Sequence, residues 1–185
     1  MLLPIRIDSS DATEGILVES NHLPFLGLCM AERWLGVVVS GDKVILVDAE
    51  VDGENPLVLQ SDQTWTLQSG NRSEAYAVMC QQTADYVREN SIVKVFVKES
   101  AVSGGAATKS LLQSAELRGA VMAALGAIAP TATKSKASIS KTFGERNVDD
   151  YVKDNDFWKK QVSGIDLRVG SREAAMVLLA ARKDQ

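Results

Sequence analysis

Between two stretches whose apolar residues recur at helical spacing stands a run of six, Ile92-Val-Lys-Val-Phe-Val97, rich in β-branched side chains. A strand with helices on both sides cannot pair with its sequence neighbour through a tight turn. It joins a sheet by crossover connections, which are right-handed and make it parallel to its partner. The helix before it reads from a Ser73 cap through the stripe Tyr76, Met79, Cys80, Thr83 and Val87. The helix after it covers 107–125, with Leu111, Leu112, Ala115, Gly119, Met122 and Ala123 on one side, small enough to lie close against a sheet. Upstream are three short apolar runs, 25–30, 34–39 and 44–47, separated by Ala31-Glu32-Arg33 and by Ser40-Gly41-Asp42-Lys43. Both gaps are turn-sized, and the runs predict an antiparallel meander. Residues 49–70 read as a loop region around one edge strand at 57–59, and 127–129 as a further strand ending at Pro130. Helices are expected at 133–142, from Asn147 through Trp158, and from a Ser171 cap to the end, with a link at 164–169. The expected fold class is therefore α/β: a mixed five-stranded sheet, an antiparallel three-strand meander plus two parallel strands, flanked by helices.

With 185 residues, 20 Lys+Arg and 24 Asp+Glu, the chain is expected to be one soluble domain over 24–185. Residues 1–23 show no sustained period and read as an N-terminal arm or added edge strand. Two cysteines, Cys29 and Cys80, are too few for a disulfide scaffold and suggest a reducing, cytoplasmic setting. No apolar run approaches the roughly 20 residues of a membrane span, and the acids at 8 and 11 do not suit a secretion leader. A single histidine, His22, excludes sites built on several histidines. Ser103-Gly-Gly-Ala-Ala-Thr-Lys-Ser110 lacks the Gly-Lys-Ser/Thr ending of a phosphate loop. The net charge of -4 argues against nucleic acid coating the whole surface, yet allows a local basic patch.

Ligands of α/β sheets gather beyond the carboxyl ends of parallel strands. Three acids are expected to reach that edge: Glu99 after the strand 92–97, Glu173 in the first turn of the last helix, and Glu32 two residues after the run 25–30. Converging carboxylates suit a hard divalent cation, and a pair of such ions about 4 Å apart would activate water for phosphodiester cleavage. Each acid also has a plainer reading: Glu173 favours a helix N-terminus, Glu99 beside Lys98 ends a strand in solvent, and Glu32 sits in a charged turn. Lys134, Lys136, Lys141 and Arg146 make 131–146 a candidate phosphate-contacting surface, and Lys109 is a further candidate. Beyond it, Asp149, Asp150, Asp154 and Asp156 offset Lys153, Lys159 and Lys160. Phe157 and Trp158 suit base stacking or core packing.

Phe25-Leu-Gly-Leu-Cys-Met-Ala-Glu-Arg-Trp-Leu-Gly-Val-Val-Val39 resembles the opening hairpin of RuvC-like nucleases of the ribonuclease H superfold, in which a Leu/Ile-Gly-Ile-Asp motif ends the first strand. Val95-Phe-Val-Lys-Glu99, with Ala115-Glu-Leu-Arg-Gly119 in the following helix, resembles the second motif, in which a Glu ends the fourth strand. Pro130-Thr-Ala-Thr-Lys134 and Lys136-Ala-Ser138 resemble the segment after the fifth strand, and Ser171 to Ala180 the helix carrying the last acids. The likeness is greatest to a small bacterial group related to RuvC. It implies Mg²⁺- or Mn²⁺-dependent cleavage of nucleic acid by a cluster of about four acids, with branched or single-stranded DNA as the expected partner; a homodimer is expected for the binding-module alternative below. Carried over, Glu99 and Glu173 match, Cys29 stands at the first acid, and Gly170 stands one turn ahead of Glu173. Glu32 or Asp166 would have to complete the set. Two expectations result. One is an atypical metal-dependent nuclease with Glu99, Glu173 and Glu32 catalytic, Glu99 and Glu173 holding metal, and Lys134, Lys136, Lys141 and Lys109 holding nucleic acid. The other is a non-catalytic ribonuclease H-fold module that binds nucleic acid or protein. The kinship and the proposed pocket both rest on Glu99 and Glu173 meeting over one sheet margin beside Cys29.

Overall fold

The computed structural model describes residues 31–100, 108–144 and 146–184. Three antiparallel strands come first: β1 (Glu32–Ser40), β2 (Lys43–Val51) and β3 (Leu57–Thr66). Gly41, at φ 65°, supplies the left-handed residue of the β1–β2 turn. Then follow α1 (Arg72–Glu89), β4 (Lys94–Lys98), α2 (Lys109–Gly126), β5 (Thr131–Lys134), α3 (Lys136–Phe143), α4 (Val148–Lys153), α5 (Asn155–Gln161), β6 (Val162–Gly164), a 3-10 turn at Val169–Ser171 and α6 (Arg172–Lys183). The sheet runs β5-β4-β1-β2-β3-β6, with β4 parallel to both β1 and β5 and β6 parallel to β3. The class is the expected mixed α/β, with six strands rather than five.

Several boundaries differ from the sequence reading for identifiable reasons. The meander occupies 32–66; the run 25–30, Cys29 and the arm at 1–23 lie outside the described residues. The stretch read as loop at 49–70 contains the ten-residue β3. Its polar half, Ser61-Asp-Gln-Thr64, keeps its full ladder to β2 while its side chains bond one another and Arg168. Residues 127–129 are not a strand: Ile128 and Ala129 donate back to the Leu125 carbonyl and close α2, so β5 starts after Pro130. Asn71, not Ser73, caps α1, accepting from the Ser73 amide at 3.0 Å. The helix expected over 147–158 is broken at Asp154, whose carboxylate caps α5 through the Phe157 amide. Ser171 makes no side-chain cap to α6. On α2 the buried face is Ser114, Leu117, Val121 and Leu125, rotated from the expected stripe, and Leu112 is 54% exposed. The Ser114 hydroxyl sets that rotation by bonding the Gly41 amide at 2.7 Å. Among the described residues, no helix is long and apolar enough to cross a membrane.

Alternation along the strands divides the core. Leu35, Val37, Val44, Leu46, Val95 and Val97 face α1 and α2, meeting Met79, Val87, Leu117, Val121 and Leu125. Trp34, Val38, Val47, Ala49 and Phe96 face α6, whose residues from Ala174 to Ala181 are all buried, with Ile139, Tyr151 and Trp158 of α3–α5 beyond. At the amino end of β1, fully buried Asp48 accepts from Arg33 at 3.0 and 2.7 Å and from the Tyr86 hydroxyl at 3.0 Å. Burial and that carboxylate push the Tyr86 phenol up to about 12.

Helix α6 can lie this close only because β1 carries Gly36 at the crossing. A Cβ there would overlap the Ala174 carbonyl oxygen and sit 3.0 Å from Leu178 Cγ. Gly36→Ala should therefore destabilise the fold by about 1–3 kcal/mol. A lower urea midpoint with an unchanged m-value would show it, and an unaltered midpoint would refute the close packing.

Candidate functional site

The carboxyl ends of β1, β4 and β5 and the first turn of α6 form one margin. Val37 lies abreast of Val97 and faces α1–α2, so the next residues, Val38 and Lys98, face α6. There Lys98 Nζ lies 2.7 Å from Glu173 Oε2, with only 16% and 31% of the two side chains exposed. Beside Lys98 on β5, Lys134 pairs with Asp184 at the end of α6. Lys136, opening α3, bonds both oxygens of Asp149 at 3.0 and 2.9 Å. That hydrogen bond holds the Asp149 carboxyl below the ordinary aspartate range against slight burial, helped by the charges of Lys136, Lys98 and Lys153. The margin is thus a set of lysines, each matched by one carboxylate.

The acids singled out in the sequence do not gather there. Glu99 continues β4, its amide bonding the Lys134 carbonyl, and its Oε1 accepts from Thr133 Oγ1 at 2.7 Å. Thr133 is abreast of Val97, on the α1–α2 side, so Glu99 and Glu173 point to opposite faces of the sheet. Glu32 opens β1 instead of following a strand, and lies six residues, about 20 Å, from Val38. It accepts from Lys94 and Trp34, and the Lys94 hydrogen bond, then that of Trp34, holds its carboxyl below the usual range. β1, the strand beside β4, carries Leu35-Gly36-Val37-Val38 and brings Val38 to the margin, while Cys29 lies outside the described residues. Asp166 is exposed on the link beyond β6, and Gly170 lies in the 3-10 turn. Lys109 and Lys141 are exposed, at the start of α2 and in the last turn of α3. Arg146 pairs with Asp154 and stacks on Tyr151. Trp158 is buried with its indole N–H on the Tyr151 carbonyl, and Phe157 packs on Phe143 and Tyr151, so both serve the core.

Sequence reasoning treated Lys98 only as a neighbour of Glu99. Strand parity was the available signal: if Val97 faces one helix layer, Lys98 faces the other, where Glu173 arrives. A divalent ion requires several oxygen ligands carrying excess negative charge. Here Glu173 and Asp149 are each neutralised by a lysine, and among the described residues no three His, Cys, Asp or Glu side chains converge. The residues present do not fit a two-metal cluster.

No family model matches the chain, and no curated protein matches it in sequence. Its architecture, however, is that of the ribonuclease H fold, mixed sheet and flanking helices included, and within that class the fold is similar to that of RuvC. Thermus thermophilus RuvC in complex with a Holliday junction substrate superposes with a TM-score of 0.64 at 12% identity, over 82% of this chain and 94% of that one. The same Thermus protein in a second structure gives 0.64 at 12%, over 82% and 95%. The yeast mitochondrial Holliday junction resolvase Ydc2 gives 0.58 at 10%, over 83% and 80%.

The approach to α6 is held by one clamp. The Arg168 amide donates to Asp62 Oδ2 at 2.9 Å, and its guanidinium reaches Asp62 Oδ1, Thr64 Oγ1 at 3.0 Å and Ser171 Oγ at 3.1 Å. Burial raises the Asp62 pKa, but hydrogen bonds from Arg168 and Ser171 outweigh it and leave the carboxyl below its ordinary value. A depressed folded pKa means stability fully present above the unfolded aspartate pKa, about 3.9, and lost as pH falls through the folded value. Acid should therefore lower the denaturation midpoint of the wild type more steeply below about pH 4 than that of Asp62→Asn. Parallel pH profiles would refute the clamp.

Proposed function

We propose that the chain is a non-catalytic ribonuclease H-fold module that binds nucleic acid, branched or single-stranded DNA, along the lysine-bearing carboxyl margin of its sheet. The observation that carries this reading is the 2.7 Å Lys98–Glu173 pair. A tethered ammonium stands against the carboxylate that a metal would need, and Glu99 lies on the other face. Binding is supported by the fold's likeness to a RuvC seen on a Holliday junction, and by the lysines themselves. Lys141 and Lys109 stand exposed, and the exposed carboxylate partners of Lys134 and Lys136 are exchangeable for phosphates, since ion pairs near solvent are worth only about 0–1 kcal/mol.

Two measurements test it. Calorimetric titration with Mn²⁺ should show no saturable binding in the millimolar range, and a four-way junction should remain uncut in Mg²⁺ or Mn²⁺. Fluorescence anisotropy should detect binding to a labelled four-way junction or single strand. The triple change Lys134→Ala, Lys136→Ala and Lys141→Ala should weaken it at least about tenfold and reduce the log K against log salt slope by about 2–3. Metal-dependent cleavage that disappears in Glu173→Gln would restore the nuclease reading. DNA affinity indifferent to the triple change would remove the lysine margin from the account.

A further inference from the structure

A cavity of about 530 Å³ lies between α5 and the chain leaving β6, lined by Asn155, Trp158, Ser163, Leu167 and Arg172 among others and by none of Lys98, Lys134, Lys136 and Lys141. Its shape follows from Gly164, at φ 88°, where a Cβ would sit 3.2 Å from the Leu59 amide nitrogen; the chain turns off the β3 edge there and leaves room beneath.

Arg172 lines this cavity and is 7% exposed. Its Nη1 donates to the Val152 carbonyl at 2.8 Å and its Nη2 to Asn155 Oδ1 at 2.6 Å, both uncharged acceptors. Its Nε, buried, has no hydrogen-bond partner, and no carboxylate pairs with the guanidinium among the described residues. A buried guanidinium is ordinarily matched by an anion, because its charge has left water and its fork of donors suits two oxygens. Among the described residues no carboxylate matches this charge, which meets only two neutral oxygens and, 6.0 Å away, the Trp158 ring, and Arg172 lines a space large enough for a small molecule while its Nε stays sealed within the protein. The remaining wall is apolar on Trp158, Val162 and Leu167, and the exposed rim carries Lys159 and Asp166. Lys159 is shared with Asp156, and Asp166 sits in solvent, where its repulsion is screened.

We infer that this cavity is a binding site for a small organic anion, its phosphate or carboxylate oxygens received by Arg172 and its apolar body by Trp158 and Leu167. This site is independent of the lysine margin, so either can fail without the other.

The test reads the Arg Nε–H region of ¹H–¹⁵N spectra while inorganic phosphate or sodium benzoate is added at constant ionic strength. The Arg172 cross-peak, identified by its loss in Arg172→Lys or through bonds from the assigned backbone should that variant not fold, should shift saturably with at least one anion. Phosphate alone would mark a phosphate site, and benzoate a carboxylate with an apolar body. Lys159→Glu on the rim should weaken the response about three- to tenfold, and Ser163→Glu at the mouth should abolish it. The proposal is overturned if neither anion shifts the peak up to tens of millimolar, or if the shift is indifferent to both rim variants.

Discussion

The contact on which the rest of the molecule depends is that between Gly36 and the Ala174 carbonyl. It allows the backbone of α6 to approach the central strand where any side chain would hold it off. Once that approach is fixed, the residue before Ala174 is Glu173, in the first turn of the helix, above the end of β4. Strand parity brings Lys98 up on the same face. The ion pair is therefore a consequence of backbone packing rather than its cause. Being partly buried, it loses hydration as well as gaining attraction, so its net contribution to stability is modest. Its larger effect is electrostatic: the ammonium compensates the charge of the carboxylate at the margin.

That compensation separates two ways of meeting a phosphate backbone. A margin built of several unpaired carboxylates repels phosphate until divalent cations reverse its sign, and it then has ions available to polarise a water and a leaving oxygen. A margin in which Lys98, Lys134 and Lys136 face Glu173, Asp184 and Asp149 is close to neutral at rest. A polyanion bound there as proposed would need no metal; its phosphates would replace carboxylates as partners of the lysines, with counterion release adding a salt-sensitive gain. The fold supports either arrangement, because the side chains that differ lie at strand and helix ends and not in the core.

Much of this was legible in the residues. The β-branched run 92–97 between helical stripes forced a parallel crossover, and the Ser40–Lys43 turn fixed the hairpin register. The order of elements therefore emerged without a close relative in sequence. Polar strands were harder to see. The Ser61–Thr64 half of β3 and Thr131–Lys134 of β5 carry no apolar alternation, because their pairing is held by ladders while their side chains meet water or one another. The face of α2 was misread because Ala and Leu surround the helix and a single hydroxyl, that of Ser114, selects its rotation. At the site, Glu99 and Glu173 were recognised as strand-end and helix-start acids. Their facing depended on a one-residue parity, and a shift of one in a strand exchanges the two sides of a sheet.

Two arginines four residues apart show how charge is used here. Arg168 is set against Asp62, 3% exposed, and spends its donors holding the turn before α6 to β3. Arg172, itself buried, takes two neutral oxygens and lies near the face of the Trp158 ring. Asn155 and the Val152 carbonyl hold its guanidinium in place but do not compensate its charge. The segment from Gly164 to Arg172 thus contains both solutions: a carboxylate where the chain is pinned, and a cation with no carboxylate partner among the described residues beside open space. Arg168 pins the turn before α6 to β3, while Arg172 ties α6 to α4 and α5 through neutral oxygens alone, which leaves its charge available to the anion proposed for the cavity.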